Sequence, residues 1–161
     1  MKSFKSLVLA FLFTLVVAGS AFAVSFTHSI NPETGGPELT IMSVYNNSSS
    51  TMDVGDVAIW DGDASTGDDD NWVNTTTTAD TYIVAGVVYP ADILAGGVGT
   101  IVIRGPVQTD FIAGGNSVDG PACSSATAGA ARSCNTDAAN FGFVTQAGTG
   151  TSAVVCVHCN K

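Results

Sequence analysis

The feature that most constrains this fold is a series of short runs rich in Val, Ile and Thr, each ended by Gly, Asp, Asn or Pro. β-Branched side chains pack well on a pleated strand, and the four terminating residues favour tight turns. Leucine, a residue that favours helices, is scarce in the part of the chain that follows position 23. It occurs there only as Leu39 and Leu94. The pattern predicts an all-β chain, folded as a small sandwich or barrel with long polar loops.

Six of these runs are predicted to be strands. They are ELTIMSVY (38–45), DVAIW (56–60), YIVAGVVY (82–89), TIVIRGPV (100–107), NFGFVTQ (140–146) and SAVVCVH (152–158). In the fourth run, alternation should place Ile101 and Ile103 on one face and Val102 on the other. The segment 126–131 is predicted to be a loop or a short 3₁₀ turn, and the polar stretches 46–53 and 63–78 are predicted to be connections.

The N-terminus has the form of a cleaved secretory signal. Lys2 and Lys5 precede an apolar stretch at 7–17, and Ala21-Phe22-Ala23 matches a small-x-small cleavage site. The predicted organisation is a signal peptide at 1–23, an N-terminal arm at 24–37 and a single β-domain at 38–161. The protein is therefore expected to be secreted and to reside outside the cell or on its surface, with the periplasm as an alternative.

The charge of the chain excludes two classes of partner. Its net charge is −9, and removal of the signal would take away two of its five basic residues. Binding to nucleic acid depends on Lys and Arg that neutralise phosphates, and anionic membranes attract basic segments. We therefore expect no nucleic-acid partner and no membrane contact after the signal is cleaved.

No pattern in the sequence indicates a catalytic site. His28 and His158 are the only histidines, and neither is accompanied by a G-x-S-x-G nucleophile motif. The glycine-rich AGGVGT (95–100) lacks the lysine of a phosphate-binding loop. The sequence predicts a protein that is not an enzyme.

An acidic stretch, DGDASTGDDDNW (61–72), is a candidate calcium loop. Asp61, Asp63 and Asp69 fall at alternating positions, as oxygen ligands of a hard cation often do. The stretch is not an EF-hand, because Thr66 stands where Gly is required and Trp72 where a bidentate Glu is required. We predict no cofactor and favour a solvated acidic turn; the alternative is a calcium loop that uses Asp61, Asp63 and Asp69, with Asp68 and Asp70 as further possible ligands.

The four cysteines are Cys123, Cys134, Cys156 and Cys159. An even number in a secreted chain predicts two disulfides, and four cysteines allow three pairings. We favour Cys123–Cys134 with Cys156–Cys159, which requires the last strand to bend, because residues three apart on a straight strand point to opposite faces. Pairings that join the 123–134 loop to the last strand, and a zinc site, stay open.

The region from 48 to 155 resembles the head-decoration, or capsid-cement, proteins of tailed bacteriophages. The resemblance lies in MDVGDVAIWD (52–61), the long segment 75–108, AGGNSVDG (113–120), SSATAGAA (124–131) and NFGFVTQAGTGTSAVVCV (140–157). It implies a small β-barrel that trimerises and cements a lattice. The signal peptide, the four cysteines and the Asp-rich loop depart from that family, and no binding residue carries over.

These observations predict a secreted structural protein that self-assembles into a coat, surface layer or filament, with copies of itself as partners. Small β-domains offer exposed strand edges for such pairing. One alternative is a monomeric extracellular module that binds calcium or mediates adhesion. Another is a small redox or metal-binding protein that uses the C-terminal Cys-x-x-Cys.

Overall fold

The computed structural model describes residues 28–30, 38–62, 71–79, 81, 83–112, 117–134, 139–148 and 150–159. The chain is all-β, with a closed five-stranded barrel, additional strands, and no α-helix in these ranges. No helix within them is long and apolar enough to cross a membrane. The predicted signal peptide lies outside the described residues.

The described residues contain ten strands. They are β1 (His28–Ile30), β2 (Leu39–Asn46), β3 (Val57–Trp60), β4 (Trp72–Thr75), β5 (Val84–Val88), β6 (Val98–Asp110), β7 (Pro121–Ser124), β8 (Ala131–Ser133), β9 (Gly142–Ala147) and β10 (Ser152–Val157).

Strands β2, β4, β3, β5 and β6 close into the barrel in that order. All neighbouring pairs are antiparallel except β2 and β4, which run parallel. The pairing of β2 with β6, from Thr40 opposite Arg104 to Tyr45 opposite Val98, closes the ring. The parallel contact of β2 with β4 is short, with Tyr45 opposite Trp72 and Asn46 opposite Val73.

The long strand β6 belongs to two sheets. Its first part pairs with β2 and β5, whereas Gly105–Asp110 pairs with β10 and starts a second sheet of order β6-β10-β9-β7-β8. Gly105 lies at the junction with φ of 107°, and a Cβ there would collide with the carbonyl oxygen of Glu38. The strand therefore changes sheets at a position that only glycine fills without strain.

Two apolar cores follow from this arrangement. One fills the barrel and includes Val44, Met52, Val88 and Ile101. The other lies between the outer wall of the barrel and the second sheet. Its members include Val57, Val87, Val102, Phe111, Phe141 and Val155. Strand β5 is buried throughout, since Val84 and Val87 contribute to the core between barrel and second sheet and Ala85 and Val88 to the barrel core.

One end of the barrel, which we call the closed end, is filled by two connections. Met52 and Ile93 are buried there and exchange backbone hydrogen bonds of 2.9 and 2.8 Å. Asn46 is fully buried, and its Nδ2 donates to the carbonyl oxygens of Ser50, Ile93 and Leu94. A buried amide is stable only with such partners, so Asn46 fixes both connections to the barrel wall.

The all-β prediction is confirmed, and each of the six predicted runs contains a strand. Ile101 contributes to the barrel core and Val102 to the other, as alternation required. Residues 126–130 form a turn, also as predicted, before β8 begins at Ala131.

Four short strands were not predicted. Strand β4 lies within 63–78, so the prediction that this whole stretch is a connection was wrong. Strand β1 lies in the predicted arm and pairs with Leu39–Ile41 of the same chain. Strands β7 and β8 consist largely of small or polar residues. Such segments carry too little intrinsic strand signal, and their pairing partners decide their conformation.

Candidate functional site

The barrel end opposite the closed end, which we call the open end, carries an apolar depression of about 520 Å³. Its floor and walls come from the first part of β2, the last residue of β3, the first residues of β5 and the part of β6 next to Gly105. The apolar residues that line it are Met42, Trp60, Val84, Ala85 and Ile103. Alternation along the strands directs Met42, Trp60 and Ile103 toward the barrel core, and all three are only partly buried.

Polar residues occupy the rim of the open end. Thr40, Arg104 and His158 complete its lining. Thr40 in β2 is the cross-strand partner of Arg104 in β6. This pairing brings Arg104, which carries a guanidinium group, next to the depression. The open end thus combines an apolar surface with one of the few cationic side chains of the chain. Such an arrangement favours an apolar group that is accompanied by negative charge.

His158 reaches this rim because the chain turns sharply after β10. Its φ is 45°, in the left-handed region, and its backbone N–H donates to the carbonyl of Phe141 at 2.7 Å. Partial burial lowers the pKa of the His158 imidazole, and a hydrogen bond with the backbone of Val84 opposes that shift. The sequence did not link His158 to Arg104 or Trp60, because the three residues come from different strands.

The turn at His158 also explains the C-terminal cysteines. Cys156 and Cys159 form a disulfide with a Cα–Cα distance of 5.6 Å, and β10 ends between them at Val157. Cys123 and Cys134 form the other, with a Cα–Cα distance of 5.4 Å, and join β7 to the residue after β8. The structure therefore has the local pairing that we favoured, including the bend in the last strand.

The predicted calcium ligands are only partly described. Asp61 follows β3 directly, and its Oδ2 accepts a hydrogen bond from Nδ2 of Asn47. Asp63 and Asp69 lie outside the described residues. Among the described residues, no three His, Cys, Asp or Glu side chains come together as a metal site. Calcium binding by Asp61, Asp63 and Asp69 stays a prediction.

Four other aspartates gather near the closed end. Asp56 accepts a hydrogen bond from the backbone N–H of Asp53 at 2.9 Å, and Asp92 accepts one from Val54 at 2.8 Å. The backbone N–H of Asp110 donates to the carbonyl of Gly55 in the same turn. The sequence did not reveal this group, because its members come from three separate segments.

Burial and mutual repulsion perturb two of these carboxyls. Burial raises the pKa of Asp56; the hydrogen bond from Asp53 lowers it, and the charges of Asp53, Asp110 and Asp92 raise it further. The pKa of Asp110 is raised by burial and then by the charge of Asp53. The closed end is therefore acidic, and its two most enclosed carboxyls bind protons more readily than exposed aspartates do.

A polar groove of about 700 Å³ runs along the outer wall of the barrel. The connection after β2 supplies one side of it, and Asn74, Thr75 and Thr77 supply the other. Its lining is dominated by hydroxyl and amide groups, with Asp53 and Asp56 at one end. Groups of this kind form hydrogen bonds with neutral polar ligands.

Comparison with known proteins gives a fold but no family. No protein-family model matches the chain, and no curated protein matches it. Among solved structures, the chain is similar to the N base of head fiber gp8.5 of bacteriophage phi29, with a TM-score of 0.52 and 13% sequence identity. The match covers 74% of this chain and 93% of the phage chain. The chain thus has the fold of a phage structural protein, which agrees with the sequence resemblance at the level of fold.

Proposed function

We propose that this chain is a non-enzymatic structural protein that is secreted and self-assembles into an extracellular coat, surface layer or filament. The observation that carries the proposal is the fold that it shares with the base of a phage head fiber. That neighbour is the base of a head fiber, and its similar fold supports a structural role for this chain.

The covalent and surface features of the chain are consistent with this role. Two disulfides suit an oxidising, extracellular setting, as does the signal predicted at residues 1–23. Several large apolar side chains, among them Leu94 and Val98, are exposed at the surface. Exposed apolar groups are unfavourable in an isolated monomer because they contact water. In a protein that packs against copies of itself, they can be buried in the contact.

The proposal is tested by electron microscopy of material secreted by bacterial cells that express the full chain. We expect ordered layers or filaments, formed by a protein whose N-terminus is Val24. Discrete monomers in the secreted fraction would overturn the structural role. Retention of the protein with its first 23 residues intact would overturn the secreted location.

The polar groove on the barrel wall favours a second candidate, an adhesion module that binds a neutral polar ligand such as a surface polysaccharide. This candidate predicts a monomer that is retained on polysaccharide columns. Asn74→Ala with Thr77→Ala, two substitutions in the groove, should abolish the retention. A chain that assembles and passes through such columns unretained would exclude it.

A further inference from the structure

The exposed apolar side chains of this chain are not scattered. Among the described residues, six large apolar side chains are classed as exposed: Val54, Ile83, Tyr89, Leu94, Val98 and Val118. Val54, Tyr89, Leu94 and Val98 belong to the connections and strand start at the closed end, whereas Ile83 immediately precedes β5 at the open end. Only Val118 lies away from the two ends, before β7. The exposed apolar side chains thus concentrate at the closed end, and the apolar lining of the depression lies at the open end, which indicates two contact surfaces.

The closed end presents its apolar side chains on a rigid turn. Leu94 is the most exposed of the six, at 68%. Its carbonyl accepts hydrogen bonds from the backbone N–H of Gly97 at 2.8 Å and from Nδ2 of Asn46 at 3.2 Å. Val98, 63% exposed, follows at the start of β6. Because the turn is fixed to a buried side chain, Leu94 is held outward, and little conformational entropy is lost when it binds.

The open end is concave and incompletely covered. Met42, Trp60 and Ile103 pack against the barrel core from one side and border the 520 Å³ depression on the other. Exposed Ile83 adds to the rim, where its carbonyl accepts a hydrogen bond from the backbone of Trp60. An apolar group placed here would remove water from both surfaces.

The two ends also differ in the charged side chains near their apolar surfaces. Asp53 and Asp92 are exposed beside the apolar turn of the closed end. At the open end Arg104 is exposed and is the one Lys, Arg, Asp or Glu that lines the depression, while exposed Glu38 lies outside this lining, immediately before β2. Asp61 also follows β3 near the open end, but its carboxylate accepts a hydrogen bond from Asn47. An acidic apolar projection and a cationic apolar depression are complementary, and two copies of the same end are not.

We infer that the apolar turn around Leu94 of one copy docks in the open end of the next copy, between Trp60 and Arg104. The contact is heterologous, since it joins different surfaces of identical chains, and repetition of a heterologous contact gives a ring or an open filament. The inference rests on the proposed self-assembly and specifies its contact.

The first experiment compares assembly of the full secreted chain with that of Leu94→Asp, by sedimentation velocity over a range of protein concentrations. We expect the concentration for half-assembly to rise roughly tenfold or more, because a side chain that is buried on docking becomes charged. Val118→Asp is the matched control, since it places the same charge on an exposed apolar residue away from both ends, and it should assemble like the original chain. Equal assembly of all three proteins would overturn the docking site.

A mixing experiment tests the head-to-tail geometry. Thr40→Glu with Arg104→Glu makes the open end acidic and leaves the closed end intact. Leu94→Asp places a charge on the apolar turn of the closed end and leaves the open end intact. At a protein concentration above the half-assembly concentration of the original chain and below that of either variant, each variant alone should be monomeric, and their mixture should form a one-to-one dimer that grows no further. A mixture that stays monomeric, or a variant that self-associates alone, would overturn the inference. If the original chain is itself monomeric, the proposed function as a self-assembling protein is wrong.

Discussion

The carboxylate of Asp56 lies directly against the Cα of Gly129, in the space that any side chain at this position would have to occupy. The two residues belong to connections that are far apart in sequence, and the carbonyl of Gly129 accepts a hydrogen bond from Val57 at 2.7 Å. The start of β3 is thereby held to the turn before β8. Gly129 also has φ of 71°, in the left-handed region.

Replacement of this glycine should therefore destabilise the fold. Gly129→Ala should lower the free energy of unfolding by about 2 kcal/mol or more, because the left-handed backbone costs about 1 kcal/mol and the methyl group displaces a carboxylate. Gly150→Ala is the matched control, since Gly150 has φ of 81° but open space around its Cα. It should lose only about 1 kcal/mol in the same urea denaturation experiment. Equal losses would show that the approach of Asp56 is of no energetic consequence.

The acidic group around Asp56 should make stability depend on pH. The folded-state pKa values of Asp56 and Asp110 are raised, so the folded chain binds protons more readily than the unfolded chain. Their ionisation therefore costs stability at neutral pH, and this cost disappears as the pH falls through the raised pKa values toward the ordinary range of aspartate.

Asp56→Asn should remove part of this dependence and retain the acceptor for the N–H of Asp53. We expect the variant to melt at a higher temperature than the original chain at pH 7 and at a similar temperature at pH 3. Thermal denaturation of both proteins across this pH range measures the dependence, and the change between pH 7 and pH 3 should be smaller in the variant. A variant that is less stable than the original chain at pH 7 would contradict the assignment.

The part of the fold that could be predicted from sequence is the part encoded by local pattern. Runs such as 100–107 carry enough β-branched residues to identify strands without knowledge of their neighbours. Strand β4, by contrast, contains a single buried residue, Val73, and its conformation is imposed by pairing with β2 and β3. The same limit applies to β7 and β8.

The candidate site was less accessible to sequence analysis than the strands. The open end unites Met42, Trp60, Arg104 and His158, which come from four separate segments, and their proximity depends on how the barrel closes. One signal was present, since Arg104 is one of only two arginines in the chain. The disulfide pairing was favoured but not determined by the sequence, since the local pairing requires the bend after β10 that only the structure shows.

The two disulfides should contribute unequally to stability. Reasoning from loop closure, Cys123→Ala with Cys134→Ala should cost about 3 kcal/mol, and Cys156→Ala with Cys159→Ala about 2 kcal/mol, because the second bond closes a much shorter loop. Guanidinium denaturation of each pair of variants measures the difference. An intact mass equal to that of the fully reduced chain would contradict both disulfides.

The acidic loop should respond to calcium if its aspartates act as ligands. Millimolar calcium is then expected to raise the melting temperature of the original chain, and Asp61→Ala with Asp63→Ala should abolish that increase. Asp119→Ala, a change outside the loop, should retain it. Identical melting curves in calcium and in EDTA would identify the loop as a solvated turn.

The central claim, that this chain is a self-assembling structural protein, is tested most directly by sedimentation velocity of the original secreted chain at several protein and salt concentrations. We predict species larger than the monomer, which grow with protein concentration and with added salt, because salt screens the repulsion between chains whose net charge is −9 with the signal and more negative once its two lysines are removed. A single monomeric species at every protein and salt concentration would contradict the claim.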